Sequence, residues 1–194
     1  MSSTILGADG KPRCSWCAAA PEFLAYHATE WGFPVADDRR LFEKLSLEGF
    51  QSGLSWRTIL AKRANFRAAF REFDFDKIAR FTPRDVARLL KDAGIVRHRG
   101  KIEAVINNAK RARELAASEG SLAAFFWKYP PTKESSVAMS RELKRRGWKF
   151  VGPTTVYAFM QAIGLVNDHA SSCAFRAKAE LARRKIKVPR PAAA

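Results

Sequence analysis

Apolar positions recur at three- and four-residue intervals along almost the whole chain, the spacing of one buried helix face. After Asp37 and Asp38, such a face runs through Leu41, Phe42 and Leu45. From Trp56 the series Ile59, Leu60, Phe66, Phe70 and Phe73 keeps the same rhythm. Thr82-Pro83-Arg84-Asp85 reads as a helix start: a capping hydroxyl, a proline in the first turn and a carboxylate three residues on. Val86, Leu89 and Leu90 follow, and Gly94 supplies the stop. The pattern predicts further helices through Ile102, Val105, Ile106 and Ala109, and after Ser121 through Phe125 and Phe126. Pro130 to Ser136 reads as a linker that breaks helices on both sides. Two more helices, Val137 to Arg146 and Pro153 to Ile163, flank Gly147-Trp148-Lys149-Phe150-Val151-Gly152. No period-2 alternation is long enough for a sheet, and no repeat of solenoid length occurs. The expectation is an all-α fold.

The 194 residues suit one domain, and a chain of that size buries roughly 70% of its unfolded surface. A hydrophobic content of 47% argues against global disorder. The net charge of +16 narrows the partners. Seven Lys/Arg against one Glu lie between Ala174 and Ala194, yet residues 1–173 remain strongly basic. A polyanion is the expected partner, and nucleic acid, held through its phosphates, is the commonest. No apolar run approaches the roughly 18 residues of a spanning helix, and the first 13 residues lack the apolar stretch of a secretion signal. Three cysteines are too few, and odd in number, for a secreted disulfide framework. These features lead us to expect a cytoplasmic protein with no membrane partner.

Three clusters carry candidate chemistry. The cysteines and two of the histidines lie near the two ends: Cys14, Cys17 and His27, then His169 and Cys173. His169 and Cys173 are four apart and share a helical face. With Cys14 and His27 they would make a closed tetrahedral zinc set. Cys17, spaced C-x2-C from Cys14, can replace a member, and reduced cysteines packed as small hydrophobes are an equal alternative. The second cluster is the turn bounded by Gly147 and Gly152. Its glycines let main chain approach phosphate oxygens, and the next helix opens with free N–H groups around Thr154 and Thr155. Lys144, Arg145, Arg146 and Lys149 surround it. The third is Leu47-Glu48-Gly49-Phe50-Gln51-Ser52-Gly53-Leu54-Ser55-Trp56, a lone carboxylate at an element end. Together with Phe23, Tyr26, Trp31 and Trp56 it suits a pocket for a flipped, electron-poor base. A surface Glu beside a core Trp is the plainer alternative.

Taken together, these segments resemble the 3-methyladenine DNA glycosylase I family of the helix-hairpin-helix superfamily. The resemblance runs in order from Arg13-Cys14 through Tyr26-His27-Ala28-Thr29-Glu30-Trp31-Gly32-Phe33-Pro34 and the Glu48 stretch. It continues through Asp92-Ala93-Gly94-Ile95-Val96-Arg97-His98-Arg99-Gly100-Lys101 to the block from Lys149 to His169. It covers roughly residues 13–175 and implies a single helical glycosylase domain over 13–176. Residues 1–12 are then expected as a flexible extension and 177–194 as a basic, flexible tail.

The resemblance implies hydrolytic excision of N3-methyladenine from alkylated double-stranded DNA without strand cleavage, by a monomer with no protein partner. It implies one structural zinc ion on Cys14, His27, His169 and Cys173, joining the two ends of the domain. It makes Glu48 the catalytic carboxylate and hydrogen-bond partner of the adenine edge, with Tyr26 and Trp56 as walls and Phe23 and Trp31 nearby. Phe23 stands where many members carry a tyrosine. Gly53 and Leu54 are expected at the lesion, with Leu54 as the wedge, and Lys149, Gly152, Thr154 and Thr155 on the DNA backbone. Alkylation at N3 makes the purine cationic and its glycosidic bond weak, so aromatic faces and one carboxylate fit the task. A non-catalytic helix-hairpin-helix protein that only binds damaged DNA is the alternative.

Overall fold

The computed structural model describes residues 3–189, and its body is helical. Eleven α-helices follow in order among the described residues: α1 Pro21–Thr29, α2 Asp38–Gln51, α3 Trp56–Ala61, α4 Arg63–Ala69, α5 Phe75–Ile78, α6 Pro83–Lys91, α7 Arg99–Glu119, α8 Leu122–Trp127, α9 Lys133–Arg145, α10 Pro153–Ala162 and α11 Arg176–Lys185. A 3-10 turn, Ser15–Ala19, precedes α1, and another, Arg71–Phe73, follows α4.

Helix α2 is the axis of the fold. Every position from Leu41 to Phe50 is buried, including Glu43, Lys44 and Glu48. Asp37 caps the helix by accepting from the Arg40 amide at 2.8 Å. Asp38 accepts from the Leu122 and Ala123 amides, so the start of α2 also caps α8. Helices α3, α7, α8 and α10 pack around it. Two of its buried charges are neutralised by an ion-pair network. Lys44 meets Glu30 at 2.5 Å, and Arg63 bridges Glu30 and Glu43 at 2.7 Å each. Burying these charges without partners would be strongly unfavourable. Among the described residues Glu48 has no such partner.

The structure departs from the sequence expectations in four places. The fold is not wholly α: Thr4–Leu6 pairs antiparallel with Pro12–Cys14, with Thr4 opposite Cys14. Three-residue strands are too short to show a two-residue period. This pairing, and a bond from the Ala174 amide to the Pro12 carbonyl, tie down residues expected to be flexible. The face from Trp56 to Phe73 is broken at Lys62 and Phe70, because Arg71, Glu72 and Phe73 all take φ near +54 or +55 to turn Phe73 into the core.

The linker is also shorter than expected. Thr132 caps α9 by accepting from the Ser135 amide, so Lys133 to Ser136 form the first turn of that helix. Finally, α11 runs across the boundary drawn at residue 176. Ala179 is buried and Arg183 donates to the Leu165 carbonyl at 3.0 Å. The tail's last residues, 190–194, lie outside the described residues.

Candidate active site

Helices α1, α2, α3 and α10 enclose a cavity of about 280 Å³. Its walls are Trp16, Tyr26, Trp31 and Trp56, and its polar groups come from Glu48, Gln51 and Gln161. Tyr26 and Trp56 lie 5.4 Å apart between ring centroids. Trp16 meets Trp31 edge-on at 5.0 Å. The Trp56 indole N–H is buried with no acceptor among the described residues.

Glu48 is buried at 6% exposure. Burial pushes its carboxyl up to about 8, and the Lys44 ammonium offsets only part of that. Lys44 is engaged by Glu30 and lies 5.6 Å over the Tyr26 ring. An empty cavity near neutral pH therefore holds a neutral, unpaired carboxyl. A cation brought between the aromatic faces would favour its ionised form.

The sequence placed Glu48, Tyr26, Trp31 and Trp56 in a pocket, and the structure brings them together. Phe23 does not line the cavity. It is buried behind Trp16, whose ring it meets at 5.8 Å, in a cluster with Cys17 and Ala20. Trp16, Gln51, Ala158 and Gln161 line the site without having been singled out. Trp16 was masked by the cysteines on either side, although an aromatic between two candidate ligands is itself a signal.

A second hollow of about 380 Å³ opens from Glu48 and Gln51 toward Gly53, Leu54, Thr154 and Thr155. It joins the loop after α2 to the start of α10. Gly53 takes φ +75, a conformation that favours glycine, and leaves Leu54 42% exposed. Lys101 fixes this loop by donating its Nζ to the carbonyls of Phe50, at 2.9 Å, and Ser52, at 2.5 Å.

Helix α9, the turn and α10 form a helical hairpin. Trp148 and Val151 anchor it in the core, and Asn108 clamps Lys149 by accepting from its amide and donating to its carbonyl. The Lys149 amide is thus occupied, while its side chain is exposed. Arg145 and Arg146 are paired with Glu142, and Arg146 also with Glu119. Lys144 and Lys149 have no ion pair among the described residues and are the hairpin's available cations. At Gly152, φ is −63 and an added Cβ would meet nothing within 4 Å, so nothing inside the fold requires glycine there. Among the described residues the Thr154 and Thr155 amides, in the first turn of α10, have no acceptor.

Behind the aromatic walls, Cys14, His27, His169 and Cys173 converge, all buried, with their ligand atoms within 4.8 Å of one another. The two histidine nitrogens are 3.2 Å apart, and Cys173 to His169, Cys173 to His27 and Cys14 to His169 are 3.5, 3.6 and 3.7 Å from sulfur to nitrogen. A tetrahedron with metal–nitrogen bonds of about 2.0 Å and metal–sulfur bonds of about 2.3 Å needs edges of about 3.3–3.7 Å. The four residues can therefore hold a metal ion. Burial, then the nearby His169 and Arg13, lowers His27 to about 4, which keeps its imidazole in the neutral, ligating form. His169 also donates through Nε2 to the Trp31 carbonyl at 3.1 Å, orienting its ring. Cys17 faces the Ala20 and Phe23 cluster and takes no part.

A helical body with a clamped helical hairpin, joined by a hollow to an aromatic cavity around one unpaired carboxyl, has the makings of a glycosylase that takes up a flat, electron-poor base. A family model described as methyladenine glycosylase matches residues 16–177. DNA-3-methyladenine glycosylase 1 of Escherichia coli (strain K12) is 45% identical over 177 residues, which are 83% of this chain and 95% of the relative. A tyrosine-to-phenylalanine variant of 3-methyladenine DNA glycosylase I, solved in complex with 3-methyladenine, superposes with a TM-score of 0.80 at 33% identity, covering 84% of this chain and 97% of its own. A Staphylococcus aureus 3-methyladenine DNA glycosylase I, solved for its recognition of 3-methyladenine, has a TM-score of 0.78 at 35% identity, covering 81% and 92%. The chain belongs to the methyladenine glycosylase family.

Proposed function

We propose that this protein flips N3-methyladenine out of alkylated duplex DNA and hydrolyses its N-glycosidic bond, leaving an abasic site. The observation that carries this reading is the unpaired Glu48 carboxyl among Tyr26, Trp31 and Trp56. A cationic purine entering the cavity stacks on the aromatic faces and draws Glu48 into its ionised state. When the bond from C1′ breaks, its electron pair returns to the ring and neutralises the base, and water completes the sugar. The weak bond asks little acid catalysis of the protein. Its work is extrusion and selection.

Leu54, exposed on the loop that Gly53 turns, fills the gap left by the flipped nucleotide. Gly152, Thr154, Thr155 and the Lys149 side chain hold the phosphates of the flanking backbone. The buried lysines are committed elsewhere, Lys44 to Glu30 and Lys101 to two carbonyls, which supports a glycosylase without lyase activity. The metal is one zinc ion. Four protein ligands leave no open position for water, so its role is to hold the N-terminal segment carrying Trp16 and Trp31 against the loop between α10 and α11. No helix of the described residues is long and apolar enough to cross a membrane, and the relatives are bacterial. This supports action on DNA in the cytosol, and we take the protein to act as a monomer.

The deciding experiment is release of free 3-methyladenine from methylated duplex DNA, with zinc measured on the same preparation. Release without strand scission is expected. DNA binding by folded, zinc-loaded protein with no release would leave a damage-binding protein instead.

A further inference from the structure

Gln161, on α10, lines both the base cavity and the neighbouring hollow that holds Asp168. Its Nε2 donates to Asp168 Oδ2 at 2.7 Å, and the Tyr157 hydroxyl donates to the same oxygen at 2.6 Å. The Gln161 main chain is also held, because its carbonyl accepts from the Gly32 and Gly164 amides. A carboxylate only accepts hydrogen bonds, so it fixes which end of the amide turns toward it. The NH2 group is committed to Asp168, and Oε1 is left without a donor among the described residues.

We propose that Asp168 is a positioning residue that locks Gln161 with its carbonyl oxygen toward the base, and that this fixed acceptor selects a purine bearing an amino rather than an oxo group at C6. The inference deepens the function proposed above and rests on it. Neither Gln51 nor Glu48 is a fixed acceptor in this way. Gln51 has no hydrogen bond holding its side-chain amide among the described residues, so that amide can turn to present either end. Glu48 accepts once a cationic base has ionised it, but as an acid pushed up to about 8 it can still donate to a neutral base. Gln161 alone among them has its direction set from behind. The C6 amino group of adenine donates to such an oxygen, whereas an oxo group sets two acceptors against each other in a site with little water. An unlocked glutamine would reverse its amide and accept either base. Burial, then the bond to Asp168, raises Tyr157 to about 12 and keeps its hydroxyl a donor to the lock.

Binding of two free bases that differ at C6, 3-methyladenine and 3-methylhypoxanthine, tests the lock. Each is titrated into zinc-loaded protein and followed by the fluorescence of the wall tryptophans. Wild type is expected to prefer 3-methyladenine by about tenfold or more. Asp168→Asn, which can donate to Oε1 and reverse the amide, should bind 3-methylhypoxanthine more tightly than wild type does. General damage to the site would not produce that gain. Gln161→Leu removes the acceptor and should bring the two affinities to within about threefold, losing 3-methyladenine affinity. Because Asp168 adjoins His169, zinc content is measured for each variant, and Gln161→Leu stands if Asp168→Asn loses its metal. An unchanged preference in either zinc-loaded variant overturns the lock. Failure of wild type to bind either base overturns the cavity reading as a whole.

Discussion

Replacing Glu48 by glutamine should stabilise the protein while impairing it, and the stabilisation should depend on pH in a calculable way. In the folded chain burial raises this carboxyl to about 8 from the ordinary 4.5 of a glutamate. A raised acid binds its proton more tightly in the folded than in the unfolded state. As pH climbs from 4.5 to 8 the unfolded chain loses that proton first, so Glu48 progressively destabilises the fold through this window and adds nothing further above it. At about 1.36 kcal/mol per unit, the penalty grows by about 3 kcal/mol between pH 5.5 and pH 8. That is an upper figure, because the cavity admits some solvent. Glu48→Gln keeps the shape and lacks the titration.

The advantage of the variant over wild type in thermal midpoint should therefore widen by roughly 6–12 °C across that interval. The assay is paired melting of the two zinc-loaded proteins at several pH values, so that every other group cancels. Excision should move the opposite way. Losing a charge-assisted contact worth about 1.5–3 kcal/mol lowers kcat/KM by roughly 10- to 150-fold. The wild-type kcat/KM for the cationic base should rise with pH and level off near 8, while that of Glu48→Gln stays flat. A midpoint difference that does not change between pH 5.5 and pH 8 would refute the buried, unpaired carboxyl.

Other consequences are as direct. Gly152→Ala should leave stability within about 0.5 kcal/mol, since the new methyl meets nothing within 4 Å, yet weaken duplex binding; unchanged affinity in a salt titration removes Gly152 from the interface. Lys101→Met leaves the Phe50 and Ser52 carbonyls without their donor and should lower stability by about 1–3 kcal/mol. Hydrogen exchange should then quicken in the loop carrying Leu54, and unchanged protection there would sink the capping role. Cys173→Ser should lose zinc and drop the thermal midpoint by roughly 10 °C or more. The fluorescence of Trp16 and Trp31, packed on His27 and on each other, should shift with it; a metal-free variant with wild-type melting contradicts a structural ion.

What could be read from the sequence was what leaves a local trace. The face of α2, the Thr82-Pro83 start of α6 and the glycines around the hairpin all announce themselves within a few residues. Glu48 stood out because a carboxylate at the end of an apolar helix is unusual. The missed features depend on distant partners. Gln161 is an ordinary helical glutamine until Asp168 and the cavity are placed beside it. Phe23 sits one turn of α1 from Tyr26, close enough in sequence to pass for a neighbouring wall, but Trp16 lies between it and the pocket. The run of α11 was obscured because five cations outweigh its few apolar positions, of which Ala179 is the one buried.

The convergence of Cys14 with His169, 155 residues apart, orders events during synthesis. A nascent chain displays Trp16 and Trp31 early, but the residues that anchor them emerge only near the end. Until His169 and Cys173 leave the ribosome, those two walls lack the part of their backing that the chain's far end supplies, and the loop to be closed is nearly the whole domain. Base recognition is therefore among the last properties the growing polypeptide acquires. A translation product stopped before residue 169 would carry the hairpin and much of the basic surface, yet hold an unfinished cavity.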